Sequence, residues 1–298
     1  MIKKIYCFGT SFTEGGGFEF DSNPTIKLIY SGLGERITKF NFSWPGQLQK
    51  LLTDIEVINF AKSGFGNERM YRLASDLVLS DDFNKDETLF LLEFSHLGRK
   101  EYYSKNLKDY VTVNYSTPLN DENQKYSKFV GVARTYNQIK EVSDSELAQL
   151  PDSDWFNKWI GLTINQQVQH ELTVNNSTIF LSFLKERNVK FLQVESASYV
   201  NPIYWDDLIT PYLVKNLKDN SIYTTSYSPI NGQIEQETYG YHQDKHFGLI
   251  SNKLIASCVH DELIDRKIIK GTKLNKKRKD FDYIQKNLLK NYNFLKND

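Results

Sequence analysis

Lys3-Lys4-Ile5-Tyr6-Cys7-Phe8-Gly9-Thr10-Ser11-Phe12-Thr13-Glu14 is the stretch that decides the fold, with Gly15, Gly16 and Gly17 directly behind it. A short apolar run leads into Gly9, then a hydroxyl pair, then three glycines. A continuous apolar run bounded by turn residues is what a parallel strand buried on both faces requires. It reads as a first strand that stops abruptly and presents Ser11 at its C-terminal end. In open α/β sheets that edge is where ligands bind. Ser11 is therefore a candidate nucleophile, given a base and an oxyanion site from elsewhere in the chain. A helix N-cap or a phosphate-binding turn is the structural alternative for the same residues.

The same rhythm continues outward. Trp44-Pro45-Gly46 opens a helix, with Pro in the first turn. Leu48, Leu51, Leu52 and Ile55 follow at amphipathic spacing. Glu56 to Phe60 is a second strand, and it too runs into a glycine turn, Ala61-Lys62-Ser63-Gly64-Phe65-Gly66-Asn67. Met70, Leu73, Ala74, Leu77 and Val78 mark the next helix. Thr88 to Phe94 is apolar on both alternating faces and reads as a central strand. Residues 15–43 lack a sustained period and form a long loop beside Ser11. Strand and helix alternate, so a mostly parallel, doubly wound sheet with right-handed crossovers is expected.

Residues 102–158 break the rhythm. They are polar and tyrosine-rich, and read as an insertion of the lid or binding-loop kind. Ile160, Ile164, Val168 and Leu172 step by four, and Ile179, Phe183 and Leu184 continue a long helix. Lys190 to Glu195 is the fourth strand. Leu208 to Leu217 is helical in pattern and interrupted at Pro211. Residues 219–240 are irregular. Tyr241-His242-Gln243-Asp244-Lys245-His246-Phe247-Gly248 then precedes a last helix carrying Ile250, Leu254, Ile255, Cys258 and Val259. The domain is read as 1–264. Residues 265–298 form a basic tail (Lys267, Lys270, Lys273, Lys276, Lys277, Arg278, Lys279) that packs back on it, with a short helix towards Leu295.

Composition narrows the function classes. A chain of 298 residues suffices for one α/β domain with insertions. Its 37 basic and 37 acidic residues cancel, which argues against a general nucleic-acid binder. The cysteines, Cys7 and Cys258, fall in buried elements and are expected to be reduced, as suits the cytoplasm. No apolar run approaches a membrane span. The run after Lys4 is too short for a signal-peptide core. No cofactor motif is present. His242 and His246 flank Asp244 in a loop rather than on one helix face, so no metal site is expected. With 18 Tyr and 19 Phe, the aromatics suggest a ring-rich core or, secondarily, sugar-stacking surfaces. Of the four tryptophans, at least two should be core. His170 and His260, on predicted helices, read as structural.

Acyl transfer by serine needs a nucleophile, a histidine base held by a carboxylate, and N–H donors where negative charge develops. Ser11, His246, Asp244 and Gly64 all fall at loop ends of predicted elements. These blocks resemble the SGNH (GDSL-type) hydrolase superfamily. Gly9-Thr10-Ser11 matches its Gly-Asp-Ser block. Asn59 stands five before Gly64, like its second block. Asp244 and His246 precede a helix with Ala256 near its middle, like its last. The resemblance covers about residues 1–264. It implies a flavodoxin-like three-layer α/β/α domain and ester hydrolysis or acyl transfer. Ser11 would be nucleophile, His246 base and Asp244 its orienting acid, with the Ser11 and Gly64 N–H groups in the oxyanion hole.

Three departures stand out. Thr10 replaces Asp at a mainly structural position. Asp244 is two residues before the His, where three is usual and Gln243 stands; two occurs in related polysaccharide O-acetyltransferases. The third block, Ser95-His96-Leu97-Gly98, lacks the oxyanion Asn, whose loss typically costs about 10²–10³ in rate. His96 is the first candidate to replace it, with Ser95 and Asn67 behind. Arg99 and Glu101 read as a surface or loop-anchoring ion pair. The expectation is a serine esterase for a small acyl group, with a carbohydrate alcohol favoured weakly. An O-acyltransferase with the same triad and a non-catalytic binding protein on this fold are the alternatives. No membrane or nucleic-acid partner is expected, and the pattern carries no signature of oligomeric state.

Overall fold

The computed structural model describes residues 1–16, 39–95, 99–104, 109–115, 130–135, 141–142, 166–195, 221–223 and 249–274. Its elements run β1 (Lys4–Phe8), α1 (Ser11–Glu14), α2 (Lys39–Phe42), α3 (Trp44–Leu51), β2 (Glu56–Asn59), α4 (Asn67–Val78) and β3 (Thr88–Leu92). Then come β4 (Arg99–Ser104), β5 (Asp109–Tyr115), β6 (Val130–Thr135), β7 (Glu141–Val142), α5 (Gln166–Glu186), β8 (Lys190–Glu195), β9 (Ser221–Tyr223) and α6 (Leu249–Asp265).

The described strands form two sheets. The larger has five strands in the order β2-β1-β3-β8-β9, and every pairing in it is parallel. Taking its strands in chain order, this is a 2-1-3-4-5 sheet. The order reverses between β1 and β3, so the switch point lies beside the turn that follows β1.

Alternation along β1 builds the three layers. Ile5 and Cys7 join Leu89, Leu91, Leu192 and Val194 on one face, against Trp44 and Leu48 of α3 and Leu254, Ile255 and Val259 of α6. Tyr6 and Phe8 join Phe90 and Leu92 on the other, against Met70 and Ala74 of α4 and Phe180 and Leu184 of α5. All five residues of β3 are buried, as expected for a strand covered on both sides. Aromatic rings dominate the second face: Phe8 and Phe90 meet at 5.1 Å and Tyr6 stacks on Phe60 at 5.7 Å. The high Phe and Tyr content of these strands therefore serves the core. The flavodoxin-like α/β/α expectation holds.

Helix α3 begins where the sequence places it. Ser43 caps it, its hydroxyl accepting the Gly46 N–H, with Pro in the first turn. Trp44 is fully buried; Trp155, Trp159 and Trp205 lie outside the described residues. Both cysteines are free, Cys7 buried and Cys258 half-buried.

Three expectations need correction. The span read as an irregular insertion contains an antiparallel sheet, β4-β5-β6-β7. Tyr110-Val111-Thr112-Val113 carries the β-branched and aromatic signature of a strand; the surrounding polar residues masked it. Within the segment read as irregular, β9 adds a fifth parallel strand, three residues long and too short to show a period. In α5, Leu172 and Ile179 are exposed while Thr173, Ser177, Phe180, Leu181 and Leu184 are buried. The buried stripe includes hydroxyl residues because Tyr71 of α4 packs there. Its ring lies 4.8 Å from that of Phe180, and its hydroxyl is 2.7 Å from Ser177 Oγ.

The residues after α6 return to the core: Ile269 is buried with Leu263, and Leu274 donates its N–H to Asp261. No described helix is long and apolar enough to cross a membrane.

Candidate active site

Ser11 is the first residue of α1, two residues past Gly9 at the end of β1, and is buried. Its carbonyl accepts N–H bonds from Gly15 and Gly16 at 3.0 and 2.6 Å, which closes the short helix over it. The serine thus stands at the C-terminal edge of a strand paired on both sides, next to the switch point.

The loop after β2 is bonded against this turn. Lys62 N–H donates to the Gly9 carbonyl at 3.2 Å. Ser63 N–H donates to a Glu14 carboxylate oxygen at 2.7 Å, which the Ser63 hydroxyl also meets. The Lys62 ammonium lies 3.0 Å from the other Glu14 oxygen. Asn59 Nδ2 donates to the Thr13 carbonyl at 2.8 Å, while its Oδ1 accepts the Ala61 N–H at 3.0 Å. Asn59 therefore ties strand β2 to the helix that begins with Ser11. Gly64 sits in this loop with φ +83°, a left-handed conformation that glycine adopts without strain. The structure thus brings Ser11 and the Gly64 turn to one edge of the sheet.

The end of β3 supplies the other wall. Glu93 is buried, and one of its carboxylate oxygens faces the Thr10 N–H at 3.1 Å and the Thr13 hydroxyl at 2.5 Å. Two residues on, the Ser95 N–H donates to Asn67 Oδ1 at 2.5 Å, and Asn67 Nδ2 donates to the Ser95 carbonyl at 3.4 Å. The Ser95 hydroxyl donates to the Phe65 carbonyl at 3.2 Å. Asn67 and Ser95 thereby lock the second and third loops together. His96, Asp244 and His246 lie outside the described residues, as does His242; His170 falls on α5, a helix as expected. Among the described residues no group hydrogen-bonds to the Ser11 hydroxyl, and no cluster of metal-ligating side chains occurs.

A cleft of about 670 Å³ opens at the C-terminal end of β2, lined by Glu14, Phe40, Asn59, Phe60, Lys62 and Arg69 among others. Cations there are already engaged. Arg69 donates to the Phe60 carbonyl at 2.5 Å and lies 5.2 Å over the Phe65 ring.

Glu101 is no surface residue. Its side chain is 2% exposed and accepts from Arg72 Nε and Nη2 at 3.1 and 2.9 Å. Burial raises its carboxyl above the usual range, against the opposing pull of Arg72. Arg72 also lies 3.9 Å over the Tyr110 ring. The pair thus fastens the antiparallel sheet to α4 from inside. His260 is buried, with Nδ1 3.1 Å from Asp261.

Sequence reasoning missed Glu93 and Glu14 as parts of this site. Both stand in the motifs already singled out, but their partners are 83 and 49 residues away. No local spacing links such groups.

No protein-family model matches the chain, and no curated protein does. Solved structures with related architecture include a carbohydrate esterase described as having divergent catalytic and non-catalytic binding functions in its active site. That likeness has 14% identity and a TM-score of 0.43, over 90% of this chain and 66% of that one. An acetyl xylan esterase from the rumen bacterium Butyrivibrio proteoclasticus gives 9% identity and 0.42, over 89% and 64%. A protein described as lipolytic, of the G-D-S-L family, from Desulfitobacterium hafniense DCB-2 gives 10% and 0.36, over 86% and 97%. The chain therefore spans just under two thirds of the two carbohydrate-active esterases. At such identities and scores these likenesses carry no weight for its chemistry.

Proposed function

We propose that this chain is a serine esterase of SGNH type acting on a small acyl ester, with a polar or carbohydrate alcohol as leaving group. One observation carries the reading: Ser11 ends β1 beside the switch point of the sheet, with the Gly64 turn bonded against its helix. His246 takes the Ser11 proton, and Asp244 orients the imidazole. The Ser11 oxygen attacks the ester carbonyl. The Ser11 and Gly64 N–H groups hold the oxyanion, with His96 or Asn67 as a third donor. His246 returns the proton to the leaving alcohol, and water then resolves the acyl-enzyme by the same base. Residues 1–264 carry this chemistry and 265–298 are an appended segment; a cytoplasmic setting is part of the same proposal.

The test is turnover of 4-nitrophenyl acetate by wild type and Ser11→Ala. A loss of about 10³-fold or more is expected on removing the nucleophile. Equal rates would remove Ser11 from the chemistry. Product analysis with a sugar acceptor present separates hydrolysis from transfer by the same triad.

A further inference from the structure

We propose that Glu93 is a positioning residue for Ser11, its carboxylate holding the Gly9–Thr13 turn from the neighbouring strand. The inference rests on the esterase reading for what Ser11 does, but its geometry stands apart from it. Three donors face one oxygen, Oε2: the Thr10 N–H at 3.1 Å, the Thr10 hydroxyl at 3.4 Å and the Thr13 hydroxyl at 2.5 Å. Thr10 is the residue before Ser11 and Thr13 the second after it, so the carboxylate grips the turn on both sides of the nucleophile.

The direction of the Thr13 bond is fixed by a third residue. Trp44 Nε1 donates to Thr13 Oγ1 at 3.2 Å. That occupies a lone pair and leaves the Thr13 hydrogen for Glu93. Trp44 and Thr13 are fully buried, and Glu93 is 5% exposed, so the chain Trp44–Thr13–Glu93 is shielded from water. Backbone contact backs it: Glu93 N–H donates to the Phe8 carbonyl at 2.8 Å.

A packing role alone does not account for these residues. A buried carboxylate costs several kcal/mol unless donors meet it, and an apolar side chain would fill the space without that cost. The turn also gives up a side chain to admit the group. A Cβ at position 9 would lie 2.6 Å from Glu93 Oε2 and 2.9 Å from Glu93 Cβ. Thr10 stands where the resembled family has an acid, and the acid here comes from the end of β3. Misplacing a reacting group by about 1 Å can cost about 10²-fold in rate. The effect belongs in kcat, because Glu93 Oε2 is taken up by the donors of the turn that carries Ser11.

The experiment is steady-state hydrolysis of 4-nitrophenyl acetate by Glu93→Gln, with amide exchange at Thr10 measured on the same protein. Expected are a kcat loss of about 10–10²-fold with KM within about twofold, and faster exchange of the Thr10 amide. A kcat within about twofold of wild type, kcat and KM moving together, or unaltered Thr10 exchange would each overturn the proposal. Should Glu93→Gln fail to fold, Thr10→Val removes one donor and leaves the carboxylate in place. A smaller kcat loss at constant KM is then expected, and none contradicts the proposal. If wild type shows no Ser11-dependent turnover, the esterase reading falls by itself, and Thr10 exchange still decides whether Glu93 holds the turn.

Discussion

Gly9 shows what the turn ahead of Ser11 asks of single residues. Its neighbours leave no room for a methyl group: Glu93 Oε2 and Thr13 Oγ1 would both lie 2.6 Å from an added Cβ. Gly9→Ala must therefore push Glu93 off the turn or move β1. A loss of about 1–3 kcal/mol in urea denaturation is expected, together with lowered esterase turnover; a neutral effect on both would contradict the packing described. Cys258 makes a second prediction at this scale. Burial, then Asp261 and Glu262, raise its thiol from 9.0 to about 11. Below pH 9 it is protonated folded or unfolded. Between pH 9 and 11 the unfolded chain releases this proton and the folded chain keeps it, so stability falls as pH rises. Cys258→Ala should flatten that alkaline slope of unfolding free energy, and an unchanged slope would count against it.

At the scale of elements, the parallel core was legible because its strands are buried on both faces. Ile5-Tyr6-Cys7-Phe8 and Leu89-Phe90-Leu91-Leu92 leave few alternatives to a central strand, and both are. Strands β4 to β7 were not legible, because their polar, tyrosine-rich span lacks that run; β9 is too short to carry a period. Helix α5 was found but its face was misjudged. Hydrophobicity favoured Ile179, whereas Tyr71 selects the side of Thr173 and Ser177. The layout of the candidate site was half legible. Ser11, Asn59 and Gly64 announce themselves by type and position at strand ends; the Glu93 and Glu14 bonds are long-range and leave no local trace. Tyr71→Phe tests the α4–α5 contact. It leaves the buried Ser177 hydroxyl without this partner, and about 1 kcal/mol or more should be lost in thermal unfolding. No loss would mean the bond contributes nothing.

Across the whole molecule, the antiparallel sheet is joined to α4 by a buried charge pair. Glu101 on β4 and Arg72 on α4 meet inside, with Tyr110 of β5 under the guanidinium. Removing one partner of a buried pair strands the other, which typically costs about 3–5 kcal/mol, while replacing both with apolar groups costs far less. Arg72→Met should therefore destabilise by about that amount, and Arg72→Met with Glu101→Leu by less than Arg72→Met alone. Chemical denaturation of the two proteins decides it; a double variant that loses as much as Arg72→Met alone, or more, would contradict the coupling. The same molecule-wide arrangement brings Ser11, Gly64 and Glu93 to one sheet edge, and the proposed base must reach that edge from position 246.

The most direct measurement is labelling by a fluorophosphonate, with the adduct located by peptide mass spectrometry. Wild type should carry it on Ser11, and His246→Ala should label at least about 10²-fold more slowly. No adduct on Ser11, or a His246→Ala protein that labels as fast as wild type, would contradict a serine activated by that histidine.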